Sequence, residues 1–251
     1  MLMTARVLSA WRCRGGRRTR GGGVARVALA LAVMLAAEPA AASGFFVSAD
    51  GDFLSADHAV RKCPAPYVET EEGRLPLERV ASSRKLDVSL LRAKRGNPAF
   101  AYFPMRPSAS LRGPLTMVRR RAGDDQLRVV HARFAGYAEN LGDKLVVRAE
   151  RPIIVGDSGS PLVDAQGALV GMMVAKAVKE NTIGIAVDTF TLVDFLAEAG
   201  VSVETVEPAA RPDGRERESP EAIAGRFTYA VGCLAALEDA AQLRSPASPP
   251  Q

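Results

Sequence analysis

Histidine and cysteine are scarce in this sequence, with two histidines and three cysteines among 251 residues. Protein metal sites are usually built from clustered histidine, cysteine and carboxylate ligands. No such cluster stands in the sequence, so we expect no metal ion and no other cofactor. A general base in an enzyme active site is most often a histidine, so only two residues could compete for such a role.

Net charge outside the first 43 residues is also close to zero. Residues 1–43 hold seven arginines and one acidic residue, a net charge of +6 against +5 for the whole chain, so the remainder carries −1. The basic isoelectric point is therefore a property of the N-terminal segment. A nucleic-acid-binding domain concentrates positive charge on its folded surface, so we expect no nucleic-acid partner.

The apolar run at 27–37 is too short to cross a membrane comfortably. An arginine-rich stretch precedes it, and Glu38, Pro39 and the small residues at 40–43 follow it. This order of basic, apolar and small residues is typical of a secretory signal peptide. We predict a signal peptide at 1–43 and an exported protein, periplasmic or secreted, with no stable membrane span after cleavage. An uncleaved membrane anchor is the alternative.

Short apolar segments separated by turns fill the chain from residue 44 to about residue 200. They are rich in Val, Ile and Phe, several alternate apolar with polar residues, and Asp-Gly, Gly-Asp or Gln-Gly pairs separate them. Many short strands with such turns predict an all-β barrel or sandwich. The pattern at 190–200 is helical and ends at Gly200. We therefore expect one folded domain over 44–203.

A proline-rich, charged segment at 206–220 is typical of a linker. Ser219 and Pro220 then form the start signal of a helix. Apolar residues follow at steps of three and four, at Ile223, Phe227, Ala230, Leu234 and Leu237. We predict a linker and helical tail over 204–251, with the apolar face docked on the domain. A partner site on that face is the alternative.

Of the three cysteines, Cys13 lies in the predicted signal peptide, which leaves Cys63 and Cys233. Two cysteines in an exported chain can form one disulfide, because such chains fold in oxidising compartments. Two unpaired buried thiols are the alternative, and the sequence favours neither.

The run Gly-Asp-Ser-Gly at 156–159 places Ser158 either in an ordinary tight turn or in an active site. A serine hydroxyl is a good nucleophile only when a base removes its proton, and that base needs an orienting carboxylate. His58 follows a strand-turn-strand pattern, whereas His131 lies in mid-strand. Asp87 begins a strongly apolar strand, where an unpaired carboxylate would be costly. His58, Asp87 and Ser158 are therefore the candidates for base, orienting acid and nucleophile.

Three segments carry a resemblance to a known family: GFFVSADGDFLSADHAV at 44–60, LDVSLL at 86–91, and GDSGSPLV at 156–163 followed by GALVG. In this order they resemble the signature blocks of trypsin-like serine peptidases of the chymotrypsin fold. The compact bacterial type, similar to the high-temperature-requirement envelope proteases, looks nearest. The resemblance implies two six-stranded antiparallel β-barrels, to which this chain would add a short C-terminal helical extension.

The same resemblance implies the chemistry. His58 would be the base, Asp87 its orienting acid and Ser158 the nucleophile, with the backbone N–H groups of Gly156 and Ser158 forming the oxyanion hole. We expect a serine endopeptidase that forms an acyl-enzyme and acts on protein or peptide substrates. The alternative is a catalytically impaired relative, a pseudoprotease that binds or regulates. An ester hydrolase of the α/β type is disfavoured, because the order here is His-Asp-Ser.

By resemblance, the pocket for the residue before the cleaved bond is formed around Pro152, Val174, Lys176 and Ala186. None of these is acidic, and a buried cationic substrate side chain needs a partner. We expect cleavage after small or medium apolar residues, with an acidic residue tolerated if the Lys176 ammonium reaches the pocket.

Three departures from the family pattern bear on the site. Asp57 stands where the residue before the histidine is usually small; we expect it to face solvent, and coupling to His58 is the alternative. The family normally has a strand before the Gly-Phe-Phe segment, where this chain has the predicted signal peptide, so either cleavage occurs earlier or the first barrel is incomplete. Family zymogens use the acid before the nucleophile, here Asp157, to bind a freed N-terminus. No activation site is suitable for this, so the sequence assigns Asp157 no partner.

Overall fold

The computed structural model describes residues 42–106, 110–121, 124–142, 144–206 and 218–234. The predicted signal peptide lies outside these ranges apart from Ala42 and Ser43. Both residues belong to the first strand, so the folded domain extends at least to residue 42. Within the described ranges, no helix is long and apolar enough to cross a membrane.

The described residues form two closed six-stranded antiparallel β-barrels, as predicted. In sheet order the first barrel contains β1 (Ala42–Phe46), β14 (Thr228–Leu234), β3 (Ala65–Thr70), β4 (Gly73–Ser83), β5 (Val88–Ala93) and β2 (Asp52–Ala56). The second contains β10 (Pro161–Val163), β11 (Leu169–Lys176), β12 (Ile183–Asp188), β9 (Lys144–Ala149), β8 (Asp124–Ala138) and β7 (Leu115–Arg121). A short parallel pair joins β6 (Phe103–Pro104) to β13 (Thr205–Val206).

The helices are short, and the two that the sequence predicted begin with a side-chain cap. Helix α1 (Asp57–Val60) follows β2, and a 3₁₀ turn spans Glu139–Leu141. Helix α2 (Thr189–Glu198) follows β12, and its Asp188 cap accepts a hydrogen bond from the Thr191 N–H. Helix α3 (Pro220–Gly225) begins at the predicted Ser219 cap.

The C-terminal segment departs from the predicted helical tail after α3. Residues Thr228–Leu234 form β14, which pairs with β1 on one side and β3 on the other. Without it, those two strands would leave facing rows of unpaired N–H and C=O groups, and such groups strongly favour strand addition. The first barrel is therefore complete, but its sixth strand comes from the C-terminal segment. The predicted helical position Leu237 lies outside the described residues.

Alternation along the strands divides the apolar residues between separate cores. Phe46 and Phe53 pack in a cluster within the first barrel. Their sequence neighbours Phe45 and Leu54 join another cluster, which includes residues of the second barrel and of α2. Successive side chains of a strand point to opposite faces, so each strand contributes to both clusters. The barrels are thus packed against each other by the strands that lead to the candidate site.

A disulfide joins Cys63 to Cys233, with Cα atoms 5.6 Å apart and a sequence separation of 170 residues. Cys63 follows α1, and Cys233 lies on β14 rather than on a helix. The bond therefore ties the strand that closes the first barrel to the segment just beyond His58.

We predict that replacing both cysteines, as Cys63→Ser with Cys233→Ser, lowers the free energy of unfolding by about 5 kcal/mol in the chain-entropy description. The reason is that a very long loop is released in the unfolded chain. Urea unfolding of the mature protein measures the change. The wild type under reducing conditions is the control and is expected to match the double variant. An unchanged unfolding midpoint would contradict the stabilising role of the bond.

Candidate active site

Pairing of β2 with β5 brings the two candidate acid-base residues together. Ala56 lies opposite Val88 in this pair. His58 stands two residues beyond Ala56 at the start of α1, and Asp87 stands immediately before Val88. A separation of 29 residues in sequence is thereby reduced to direct contact.

Asp87 binds His58 through both carboxylate oxygens. Its Oδ1 accepts a hydrogen bond from the His58 backbone N–H at 2.8 Å, and its Oδ2 lies 2.6 Å from His58 Nδ1. The Asp87 carbonyl also accepts from the Asp57 N–H at 3.1 Å. Asp87 has a φ of +63°, which is uncommon for a residue other than glycine. Such strain is typical of functional positions whose surroundings determine the conformation.

The hydrogen bond that His58 Nδ1 donates to Asp87 raises the pKa of His58 above its ordinary value of 6.5. Partial burial and the charge of Arg61 act in the opposite direction, whereas the negative charges of Asp87 and Asp57 raise this pKa further. The arrangement therefore stabilises the protonated ring and leaves the other nitrogen, Nε2, for a reacting group.

Ser158 lies in the loop between β9 and β10, which packs on the first barrel. Its carbonyl accepts a hydrogen bond from the Ser43 N–H of β1 at 3.0 Å. The next residue, Gly159, has a φ of +81°, and a Cβ there would lie 2.0 Å from the Ser43 carbonyl oxygen. Only glycine permits this close approach. The serine is thus held against β1, whose neighbour β2 leads directly to His58.

The Ser158 hydroxyl donates a 3.5 Å hydrogen bond to the Val174 carbonyl. In the described part of the chain, no hydrogen bond joins it to His58. The structure therefore brings His58 and Asp87 into contact but leaves Ser158 turned toward β11. Catalytic hydrogen bonds are often long without substrate and tighten only when it binds.

The predicted oxyanion donors belong to the same loop. Gly156 has a φ of +93°, a conformation that glycine adopts without strain. Neither the Gly156 N–H nor the Ser158 N–H donates to an acceptor among the described residues. Two such donors beside a nucleophile are the groups that stabilise a developing oxyanion.

Asp57 is buried, so the expectation that it faces solvent is wrong. It is 1% exposed, its Oδ1 accepts from the Ser89 hydroxyl at 2.8 Å, and its Oδ2 has no hydrogen-bond partner. The helical turn of α1 directs this side chain into the first barrel while His58, the next residue, points outward. A buried carboxylate therefore lies next to the candidate base.

Asp157 has a partner that the sequence interpretation missed. Arg119 Nη1 lies 2.9 Å from Asp157 Oδ1, and the side chains are 7% and 0% exposed. Strand alternation is the signal that was available: Leu115, Met117 and Arg119 share one face of β7, and the first two lie in the second-barrel core. An arginine on that face needs a buried anion.

The four predicted pocket residues differ in exposure. Pro152 and Lys176 are exposed. Val174 packs in the core between the barrels, and Ala186 packs in the core of the second barrel. Their segments do adjoin the site, since the Val174 carbonyl holds Ser158. A cavity of about 1110 Å³ lies elsewhere, between the β3–β4 hairpin, residues 95–99 and α3.

His131 lies on β8 in the second barrel, with its Nδ1 3.5 Å from the Thr116 hydroxyl. It contacts neither Asp87 nor Ser158 through any hydrogen bond within the described residues. The structure therefore leaves His58 as the candidate base.

A family model and one relative of known sequence match this chain. The family model of the trypsin-like peptidase domain matches residues 42–172. The uncharacterized protein y4bJ of Sinorhizobium fredii (strain NBRC 101917 / NGR234) is 28% identical over 216 residues, which cover 78% of this chain. The match spans only 33% of that relative's length.

Solved protease structures share the fold. The Rv3671c protease of M. tuberculosis in its active form matches with a TM-score of 0.54 and 20% identity, covering 67% of this chain and 77% of that chain. The HtrA-type protease AlgW with decapeptide matches with a TM-score of 0.55 and 21% identity, covering 63% of this chain and 51% of that chain. At 20% and 21% identity, this structural similarity establishes the fold alone.

We predict that Asp57→Asn lowers the pKa of His58, because it removes a nearby negative charge and keeps the size of the side chain. Asp87→Asn is expected to lower it further, since the Asp87 hydrogen bond is the largest cause of the raised value. NMR titration of the ring protons measures both shifts. His131, in the other barrel, lies away from both substitutions and is the internal control. An unaltered His58 titration in Asp57→Asn would show that the buried carboxylate does not act on the ring.

Proposed function

Because the chain belongs to the trypsin-like peptidase domain family, we propose that it is a serine endopeptidase that uses His58, Asp87 and Ser158 as a catalytic triad. The observation that carries the proposal is the two-point attachment of Asp87 to His58. One carboxylate oxygen binds the backbone N–H and the other binds Nδ1. A structural aspartate needs no such geometry, whereas a base that must present Nε2 in one tautomer and orientation does.

The proposed reaction begins with rotation of the Ser158 hydroxyl from the Val174 carbonyl toward His58 Nε2. His58 takes the hydroxyl proton as Oγ attacks the scissile carbonyl. The resulting oxyanion accepts hydrogen bonds from the Gly156 and Ser158 N–H groups, and Asp87 stabilises the imidazolium. The peptide C–N bond then breaks, His58 gives its proton to the leaving amine, and an acyl-enzyme forms.

Water completes the cycle. His58 takes a proton from the water as its oxygen attacks the acyl carbon, and the proton then passes to Ser158 Oγ as the ester bond breaks. The products are a free carboxylate and the restored hydroxyl. The chain's own side chains and backbone supply every group in this scheme.

A second candidate function is a pseudoprotease, which binds protein segments without cleaving them. One observation favours it: the Ser158 hydroxyl bonds to Val174 rather than to His58. Reaction with a fluorophosphonate separates the two functions, because the reagent attaches covalently only to a serine whose hydroxyl a base activates.

We also propose that the protein is exported to the periplasm or secreted. The basic and apolar order of the N-terminal segment supports this. The Cys63–Cys233 disulfide supports it as well, because such bonds persist mainly in oxidising compartments.

We expect fluorophosphonate to label the mature wild-type protein at Ser158 and to leave Ser158→Ala unlabelled. Cleavage of unfolded casein is expected to fall by roughly 10⁴-fold or more in this variant, because no other group can form the acyl-enzyme. Ser202→Ala, at an exposed serine outside the site, is the matched control. Labelling that survives Ser158→Ala would remove the triad assignment, and a wild type that is never labelled would favour the pseudoprotease.

We further predict cleavage after small or medium apolar residues. Cationic side chains lie beside Ser158, since Lys176 is exposed on β11 and Arg128 donates a hydrogen bond to the Pro152 carbonyl in the loop before Ser158. Asp157, the acid of this loop, is already paired with Arg119. A lysine or arginine of the substrate would thus meet positive charge, whereas the apolar residues Ile154 and Val155 are 40% and 83% exposed nearby.

A peptide-library digest read by mass spectrometry measures this preference. Lys176→Glu is expected to increase cleavage after Lys and Arg, because it exchanges a repulsive charge for an attractive one. Lys176→Ala, which only removes the ammonium, serves as the comparison. Dominant cleavage after basic residues by the wild type would contradict the pocket assignment and leave the triad unaffected.

A further inference from the structure

We infer that Arg119, assisted by Arg128, is a positioning residue that holds the oxyanion loop, residues 152–158, in its working conformation, so that the chain needs no internal activation cleavage. The inference rests on the proposed peptidase function. It deepens that function by assigning a role to a buried ion pair that the chemistry itself does not use.

Two inward-facing arginines lie side by side under this loop. Arg119 on β7 and Arg128 on β8 are direct cross-strand partners. Residues on the same faces of these strands, Met117 and Val130, pack in the core of the second barrel. Like charges directly opposite each other destabilise a sheet unless an anion lies between them. Asp157 supplies that anion.

Asp157 is bound from several directions. Arg119 Nη1 lies 2.9 Å from its Oδ1, and Arg128 Nε lies 3.6 Å from the same oxygen, a charge contact too long for a hydrogen bond. Its Oδ2 accepts from the Ile154 N–H at 2.9 Å. A carboxylate that is 0% exposed is stable only with such partners.

The same arginines also bind the backbone of the loop. Arg119 Nη1 donates to the Val155 carbonyl at 3.1 Å, and Arg128 Nη2 donates to the Pro152 carbonyl at 2.7 Å. Of the three anchor points, Val155 and Asp157 flank Gly156, and Pro152 lies earlier in the same loop. The carbonyl before Gly156 is therefore directed toward Arg119, which leaves the Gly156 N–H pointing away, free for an oxyanion.

This arrangement explains why no activation site is needed. By family resemblance, an acid at the position of Asp157 receives a freed chain terminus in zymogens. Here Arg119, a side chain of the second barrel, already supplies the positive charge and the hydrogen bond that a freed terminus would give to Asp157. The loop is ordered by folding itself, because β7 and β8 belong to the closed second barrel.

The test compares Arg119→Met and Arg119→Lys with the wild type. We expect kcat to fall by about 10²- to 10³-fold in Arg119→Met with KM little changed, which is the range for a lost oxyanion-hole donor. Arg119→Lys keeps the charge but not the planar fork, so an intermediate kcat is expected. An equal kcat in all three proteins would overturn the inference while the labelling of Ser158 still supported the peptidase.

A matched control removes another arginine from a buried aspartate. Arg92 binds Asp52 at 2.7 and 2.9 Å in the first barrel, away from the loop. Arg92→Met is expected to leave kcat unchanged. A fall equal to that of Arg119→Met would mean that loss of any such ion pair lowers activity through stability, and would overturn the positioning role.

Hydrogen exchange supplies a readout that does not require activity. In Arg119→Met, amides of the peptide covering 150–160 are expected to exchange faster, while peptides of the first barrel keep their rates. If Arg119→Met does not fold, the double variant Arg119→Met with Asp157→Asn removes both charges and is compared instead. Unchanged exchange of this peptide would overturn the inference, whether or not the protein proves to be a peptidase.

Intact mass of the fluorophosphonate-labelled protein tests the activation claim. The labelled wild type is expected to be one chain, cut only where a leader peptide is removed. Labelling that appears only after a cleavage within the folded domain would overturn this part of the inference.

Discussion

The pairing of β14 between β1 and β3 is the interaction on which the rest of the structure depends. It supplies the last strand of the first barrel and fixes β1. That strand carries Ser43, whose N–H binds the Ser158 carbonyl, and the two adjacent phenylalanines that enter different cores. A C-terminal segment thereby stabilises a site whose chemical groups lie far earlier in the chain. The disulfide to Cys63 anchors this strand covalently next to the His58 helix.

Buried charge is the second constraint. The two buried aspartates of the site, Asp57 and Asp157, have different sets of partners. Asp157 is surrounded by cationic and N–H partners, so its charge fixes a loop. Asp57 has one hydroxyl partner and an unsatisfied oxygen, and its negative charge makes only a small contribution to the raised pKa of His58. Both carboxylates are next to a proposed catalytic residue in sequence. Their opposite environments show how burial and partners, rather than residue type, assign a role.

Much of the site could be read from local pattern. The order of the histidine, aspartate and serine segments predicted the family, and alternation of apolar residues predicted strands. The contact between His58 and Asp87 follows from these, because β2 and β5 pair at the ends where both residues lie. The alternation of apolar residues along β7 could also have indicated an inward Arg119, but the sequence interpretation did not use it. Its partner could not be named, because the loop that holds Asp157 approaches from another part of the second barrel.

The C-terminal segment shows where local pattern fails. Ser219 and Pro220 correctly predicted the start of a helix, and the apolar steps through Phe227 and Ala230 fitted its continuation. Those steps were equally compatible with a strand once Thr228, Tyr229 and Val231 are considered, since β-branched and aromatic residues favour strands. The choice was decided by two distant strand edges with unpaired backbone groups.

The sequence by itself therefore determined the strand-rich fold class, the chemical groups and their order, because these depend on residue type and local spacing. Only the tertiary structure decided which segment closes the first barrel, which cation neutralises Asp157, and that Asp57 is buried. Each of these outcomes depends on contacts between segments that are far apart in the sequence. An unpaired strand edge or a buried charge is satisfied only when folding brings a partner group next to it. Such complementarity exists only after the two barrels have closed.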